Sequence, residues 1–207
     1  MKIIEAFRSI QGEGKYIGVP TYFIRSSGCN LRCSWCDTSY AFDGGKDMSL
    51  EEIVALTESD YHVSITGGEP MIQPEFLELV DMLLDDGKFI TVETNGSIDV
   101  SSIAGRENVM ISMDVKCPSS KMTDKMILDN IRLLEEKDQV KFVIADEKDL
   151  DFAIKTIDQY EPKAEVIFGA VGGLNLKYLA EEVVRRKLNV RVLPQLHKII
   201  WGDEKGV

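Results

Sequence analysis

The chain has 207 residues, 44% hydrophobic and 29% charged, the balance of a globular protein long enough to bury a sizeable core. Its 35 acidic residues outnumber 24 basic ones, and a net charge of −11 excludes the basic footprint that nucleic-acid phosphates require. No run approaches the ~18 apolar residues of a membrane span, and Glu5 stands where a secretory signal would place its apolar region. A cytoplasmic protein with reduced cysteines is the expectation.

Strand-like and helical patterns alternate along the chain. Thr21–Arg25 is the first apolar run read as a strand. Ser49 ahead of Leu50-Glu51-Glu52 forms a capping box that opens a helix to about Thr57. His62–Thr66 reads as the next strand, and Pro74 opens a second helix with Leu77, Val80 and Leu84 at helical spacing, ending near Gly87. Strands follow at Phe89–Glu93 and Val109–Val115. The spacing predicts a third helix opened by Thr123, with Ile127, Ile131 and Leu134 on one face. Val140–Ala145 is a strand, followed by a fourth helix opened by Asp146 over Leu150, Ile154 and Ile157. Glu165–Phe168 is a strand, Asn175 opens a fifth helix with Leu179 and Val183, and Val190–Leu193 closes the series.

Repeated β-then-α units imply a parallel sheet with right-handed crossovers. A complete eight-unit barrel needs about 250 residues, so the expected fold is α/β, an incomplete TIM-like β/α barrel. No internal repeat, low-complexity segment or linker divides the chain, and residues 1–207 read as one domain. In such folds the site lies at the C-terminal ends of the strands.

The chemistry-bearing motifs fall at those ends. Cys29-Asn-Leu-Arg-Cys33-Ser-Trp-Cys36 follows the Thr21–Arg25 strand. Iron–sulfur clusters are usually held by four thiolates, so a cubane on these three leaves one iron open for chemistry. Zinc sites bring their ligands as two separated pairs, whereas the remaining Cys117 is isolated and so are His62 and His197. A zinc-binding interaction module therefore lacks its fourth ligand. The next strand runs into Gly67-Gly68-Glu69-Pro70, where paired glycines let backbone approach a ligand. Two further strands end in Glu93-Thr94-Asn95-Gly96 and Asp114-Val115-Lys116.

The Cys-x3-Cys-x2-Cys loop one βα unit ahead of Gly-Gly-Glu-Pro resembles the radical S-adenosylmethionine superfamily. The resemblance implies a 4Fe-4S cluster on Cys29, Cys33 and Cys36 whose open iron takes the amino and carboxylate groups of S-adenosylmethionine (SAM). One electron from the cluster then breaks a sulfur–carbon bond, and a 5′-deoxyadenosyl radical abstracts hydrogen from a substrate. The cofactor supplies the difficult chemistry, and the protein orients it. Gly67 and Gly68 would offer backbone to the methionine moiety, and Trp35 would pack against cluster or adenine.

Ser9-Ile10-Gln11-Gly12-Glu13-Gly14, Phe23-Ile24-Arg25, Cys36-Asp37-Thr38 and Leu193-Pro194-Gln195-Leu196-His197-Lys198 with Trp201-Gly202, in that order, resemble the 7-carboxy-7-deazaguanine synthase family over essentially the whole chain. That family converts 6-carboxy-5,6,7,8-tetrahydropterin to 7-carboxy-7-deazaguanine with loss of ammonia, regenerating SAM each turnover. By position, the resemblance implies that Ile10, Gln11 and Gly12 contact the pterin, Arg25 pairs with its carboxylate and Thr66 hydrogen-bonds it. Read alone, Ile10-Gln11-Gly12 is also what a plain turn looks like. The family's magnesium would sit on Thr38. Gly68, Glu93, Asn95, Ser112, Asp114, Lys116 and Gln195 stand where the family contacts SAM. Asp114-Val115-Lys116 departs from the Ser-Pro-Lys of relatives, and an aspartate there suits ribose hydroxyls. The carboxylate of Val207 would reach the pterin.

His62 opens a buried strand and reads as structural, and nothing in the spacing of His197 makes it a metal ligand. Cys117 is expected near the site, not on the cluster, because a fourth thiolate would close the open iron. Implied partners are a small pterin substrate, an electron donor such as flavodoxin or ferredoxin, and a second copy in a homodimer. Nucleic acid and membrane are not expected. The Cys-x3-Cys-x2-Cys loop also suits a small activase that makes a glycyl radical on a partner protein, but Gln11-Gly12-Glu13-Gly14 and the Pro194–Trp201 ending point instead to a small enclosed substrate.

Overall fold

The structure, a computed structural model, describes residues 1–207. Nine strands form one sheet: β1 (Lys2–Ile10), β2 (Pro20–Ser26), β3 (Lys46–Asp47), β4 (His62–Gly67), β5 (Phe89–Thr94), β6 (Val109–Val115), β7 (Gln139–Ile144), β8 (Glu165–Ala170) and β9 (Arg191–Val192). Their spatial order is β3-β1-β2-β4-β5-β6-β7-β8-β9, so β3 and β9 are free edges and the sheet does not close. From β2 to β9 every neighbouring pair is parallel. The expected partial TIM-like barrel is present, with one correction to its parallel sheet: β1 runs antiparallel to both β2 and β3.

Helices α1 (Leu50–Leu56), α2 (Phe76–Asp85), α3 (Glu147–Tyr160) and α4 (Lys177–Arg186) cover the outer face, and a short α5 (Leu196–Trp201) follows β9. The α1 capping box forms as read: Ser49 Oγ accepts from Glu52 N at 3.2 Å and the Glu52 carboxylate accepts from Ser49 N at 2.9 Å. Asp146 caps α3 by accepting from Asp149 N. Strands β4 to β8 bury both faces, with Ile65, Val92, Ile111, Phe142 and Phe168 packed between sheet and helices. Phe142 and Phe168 meet edge to face at 5.8 Å. No helix is long and apolar enough to cross a membrane.

The expected third α-helix does not form. Residues between β6 and β7 make three 3₁₀ turns, Pro118–Ser120, Thr123–Lys125 and Leu128–Leu133. Lys121 adopts a left-handed conformation (φ 62°) and Met126 an extended one, each interrupting an α-helical ladder. Buried Asn130 competes for the backbone, donating to the carbonyls of Ile98 at 2.7 Å and Gly96 at 3.3 Å while accepting from Val100 N. Ile131 and Leu134 still reach the core, but Ile127 is exposed.

Candidate active site

A cavity of about 650 Å³ opens where β2, β4, β5, β6, β7 and β8 end, the position expected for this class of fold. Cys29, Cys33 and Cys36 line one end, each half-buried. Their loop is anchored from both sides. Glu69 N donates to Gly28 O at 2.9 Å and Ser34 N to Ser120 O at 3.1 Å. Trp35 Nε1 donates to Ser119 Oγ at 3.0 Å, and Ser119 in turn donates to fully buried Asp149 through its backbone N (2.9 Å) and its hydroxyl (2.5 Å). Leu31 N donates to Cys29 Sγ at 3.4 Å.

Burial pushes the Cys33 and Cys36 thiols up, and the Lys116 ammonium draws both back. Both would bind iron as thiolates, releasing their protons. No three His, Cys, Asp or Glu side chains converge on a single-ion site; a cubane instead gives each thiolate its own iron. Gly68 tests the fit independently. A Cβ there would stand 2.2 Å from Gly28 O and 2.7 Å from Cys29 Cβ, so only bare backbone lies against the cysteine loop at this edge. Cys117 is fully buried outside the cavity, its thiol pushed far up by burial and 3.7 Å from Val115 O. It is no fourth ligand.

Glu69 was not singled out from the sequence beyond its place in Gly-Gly-Glu-Pro. Its buried carboxylate ties the end of β4 to that of β5, accepting from Asn95 N at 2.6 Å, Thr94 Oγ1 at 3.0 Å and Met71 N at 3.1 Å. Burial pushes its pKa up to about 7 against these donors. Asn95 lines the cavity and bridges to Asn30 Oδ1 at 3.0 Å.

Asp114 and Lys116 line the cavity at the end of the neighbouring strand β6 and pair at 2.7 Å. Burial opposes the Asp114 charge, but Lys116 and Lys141 outweigh it and hold the carboxyl at about 2. Lys141, absent from the sequence-derived site, reaches Glu13 at 2.7 Å, Asp114 at 3.1 Å and Glu93 at 4.0 Å. Its only sequence signal was a lysine inside an apolar strand. Ser112 is fully buried, does not line the cavity, and meets it by donating to Glu93 Oε2 at 2.6 Å.

Ile10, Gln11 and Gly12 also line the cavity. Gln11 is held in its turn by N–H donation to Val19 O at 2.7 Å, and Leu196 N donates to Gly12 O at 2.8 Å, seating α5 on this loop. Gly12 admits the His197 ring, whose Nδ1 would lie 2.1 Å from a Cβ at that position. Gln195 donates to Glu13 Oε1 at 2.6 Å, leaving its buried Oε1 without a partner at the cavity. Arg25 donates through Nε to Glu5 at 2.6 Å, and Tyr40 donates to the same oxygen at 2.8 Å. The terminal nitrogens of Arg25 have no hydrogen-bond partner, and the guanidinium lies 6.0 Å from the centre of the Tyr40 ring. Thr66 lies along this wall. Thr38 also faces the cavity, its hydroxyl donating to Asp37 at 2.8 Å. Val207 lines the mouth, where Lys205 Nζ sits 4.0 Å from the centre of the Tyr40 ring. His62 lies elsewhere, buried against Thr91 at 2.7 Å, with burial pushing its pKa down to about 4.

An open parallel barrel with three thiols and a glycine-bared strand end facing one cavity defines a radical SAM protein, and the Radical SAM superfamily profile matches residues 23–152. A 7-carboxy-7-deazaguanine synthase of Thermoplasma acidophilum is 44% identical over 100% of both chains. One of Methanospirillum hungatei is 42% identical over 97% of this chain and 85% of its own. A crystal structure of QueE from Escherichia coli shares the fold, with a TM-score of 0.76 and 22% identity over 93% of each chain. The chain belongs to the 7-carboxy-7-deazaguanine synthase family of the radical SAM superfamily, whose cofactors are a 4Fe-4S cluster and SAM.

Proposed function

We propose that this chain converts 6-carboxy-5,6,7,8-tetrahydropterin to 7-carboxy-7-deazaguanine with loss of ammonia. The carrying observation is a single cavity lined both by the three thiols and by an arginine whose terminal nitrogens have no hydrogen-bond partner. When bound, cluster and SAM supply the electron and the carbon radical that takes hydrogen from the pterin ring.

The protein's own residues then bind, orient and enclose. Cys29, Cys33 and Cys36 would hold the cluster as thiolates. Gly68 would offer backbone to the methionine moiety, while Asn95, Asp114, Lys116 and Gln195, which line the same cavity, would contact the rest of SAM. Lys116 and Lys141 keep the Asp114 carboxyl ionised, so it accepts hydrogen bonds from ribose hydroxyls. Arg25 receives the substrate carboxylate with its two terminal nitrogens, because Glu5 already fixes Nε. Ile10, Gln11, Gly12 and Thr66 hydrogen-bond the pterin ring. Lys205 on Tyr40 seats the tail so that Val207 reaches the substrate and restricts water. Thr38 would hold a magnesium ion through its hydroxyl, and the ion's charge would help orient the substrate carboxylate.

Reduction comes from a one-electron donor of the flavodoxin or ferredoxin type, and the working unit is a homodimer of single-domain subunits. Anaerobic reconstitution with iron and sulfide tests the reading. Incubation with SAM, a reductant, magnesium and the carboxypterin should yield the deazaguanine by chromatography and mass. No product from protein with an intact cluster would overturn it.

A further inference from the structure

Glu93 sits at the meeting point of two hydrogen-bond arms that start on the same loop, residues 11–19 between β1 and β2. In the first arm Lys15 N donates to Gln139 Oε1 at 2.6 Å, Gln139 Nε2 to Ser112 Oγ at 2.7 Å, and Ser112 Oγ to Glu93 Oε2 at 2.6 Å. In the second, Glu13 N donates to Gln11 Oε1 at 3.3 Å, and Gln11 Nε2 to Glu93 Oε1 at 3.3 Å. Every donor points toward the carboxylate, and each arm ends on a different oxygen.

The first arm is built into the sheet. Glu93 pairs in register with Ser112 across β5 and β6, and Ser112 with Gln139 across β6 and β7. All three side chains therefore share one level on one face. Ser112 and Gln139 are buried, so neither touches a ligand. The loop end is equally specified. Gly14 has a left-handed backbone (φ 75°), and a Cβ there would stand 2.2 Å from Gln139 Nε2.

We propose that Ser112 and Gln139 are positioning residues that hold the Glu93 carboxylate toward the pterin half of the cavity, ready to accept from the N–H-rich edge of the substrate ring. This rests on the proposed pterin reading. It moves Glu93 from the SAM wall, where the family resemblance put it, to the substrate side, because the second arm runs through Gln11. A carboxylate whose two oxygens are each fixed by one donor keeps its remaining lone pairs for a ligand. Glu93 is faced by Lys141 of β7, Asp114 of β6 and Glu13 of the loop. Burial and the two carboxylates push its pKa up, while Lys141 and the Ser112 hydroxyl pull it down.

The test measures equilibrium binding of 6-carboxytetrahydropterin and, separately, of SAM to reconstituted, unreduced enzyme. Wild type is compared with Ser112→Ala, Gln139→Met and Gly14→Ala. Each variant should weaken pterin binding about tenfold, the loss expected for one charge-assisted hydrogen bond, with SAM affinity within about twofold. Ser112→Ala combined with Gln139→Met should cost no more than Ser112→Ala alone, since the two act in series. Pterin binding by Ser112→Ala should also fail at a higher pH than in wild type, because the lost donor favoured the ionised form. A general packing defect would weaken both ligands and leave the pH profile in place. Wild type that binds pterin while the variants bind it equally well overturns the positioning role alone. Equal losses for pterin and SAM overturn it as well. Wild type that does not bind the pterin overturns the functional reading and this assignment with it.

Discussion

Two buried groups give this protein a pH response that single substitutions should unmask. Burial raises the Glu69 pKa from 4.5 to about 7 and lowers that of His62 from 6.5 to about 4. For Glu69 the folded state binds the proton more tightly than the unfolded chain does. Its contribution to stability is present below pH 4.5 and is lost as pH rises through about 7. For His62 the folded state resists protonation, so its contribution is present above 6.5 and is lost as pH falls through about 4. Each shift corresponds to about 3 kcal/mol. The two slopes oppose and nearly cancel where their windows overlap. Urea unfolding of the apo-protein under reducing conditions, from pH 4 to 8, reads the effect. Subtracting Glu69→Gln from wild type removes every other titration. The difference should fall by about 3 kcal/mol between acid and neutral pH, on top of a constant offset for the acceptors lost at Asn95 N, Thr94 and Met71 N. His62→Gln should give the opposite slope. A Glu69→Gln difference that stays flat across this range would refute the reasoning.

Gly68→Ala forces Cβ against Gly28 O and Cys29 Cβ, where backbone cannot yield cheaply. A loss of about 1–3 kcal/mol should appear as a lowered apo-protein Tm, together with reduced iron and sulfide per chain after reconstitution; full loading at an unchanged Tm would count against the close approach. Arg25→Lys keeps the charge but loses the fork, so the KM for the carboxypterin should rise about 10- to 100-fold with the KM for SAM unchanged, and equal KM values for the pterin would remove Arg25 from the carboxylate. A tail fused after Val207 should lower turnover and weaken pterin binding while cluster content holds, as read by single-turnover kinetics. Turnover unaffected by the fused tail would make the end of the chain a bystander.

Much of the sheet was legible because β4 to β8 are short apolar runs bounded by turn residues, and their expected limits differ from those observed by a residue or two. Strand β1 escaped that pattern. Of its residues only Ile3 is buried, so its apolar positions lie on a half-covered edge pair and carry no clean alternation. Between β6 and β7 the reverse happened. Ile127, Ile131 and Leu134 recur at helical spacing, yet Asn130 takes backbone partners at Gly96, Ile98 and Val100 that no local window could reveal. The apolar pattern correctly marked Ile131 and Leu134 as core while misjudging the backbone that delivers them.

The site divides along the same physical line. That Cys29, Cys33, Cys36 and Gly68 face one cavity was readable because three thiols at fixed local spacing and a glycine-bared strand end are patterns carried by short stretches of chain. Lys141 was not, because its role depends on which residue stands beside it on the next strand. The register sets Asp114 opposite Lys141, and Glu93, Ser112 and Gln139 in line at the level beneath. A slip of one residue in either pairing would turn these side chains to the other face of the sheet. The buried charges therefore also favour this register: Lys141 on the other face would lose its pairing with Glu13 and Asp114, at a cost of several kcal/mol. In that sense the polar layer serves the fold before it serves chemistry. The apolar strands specify that a sheet forms, and the ion pairs across Asp114, Lys141 and Glu13 specify which alignment of it survives. Because the 11–19 loop carries Glu13 into that network, correct register and a seated loop become the same condition, and the cavity is shaped before any ligand enters it.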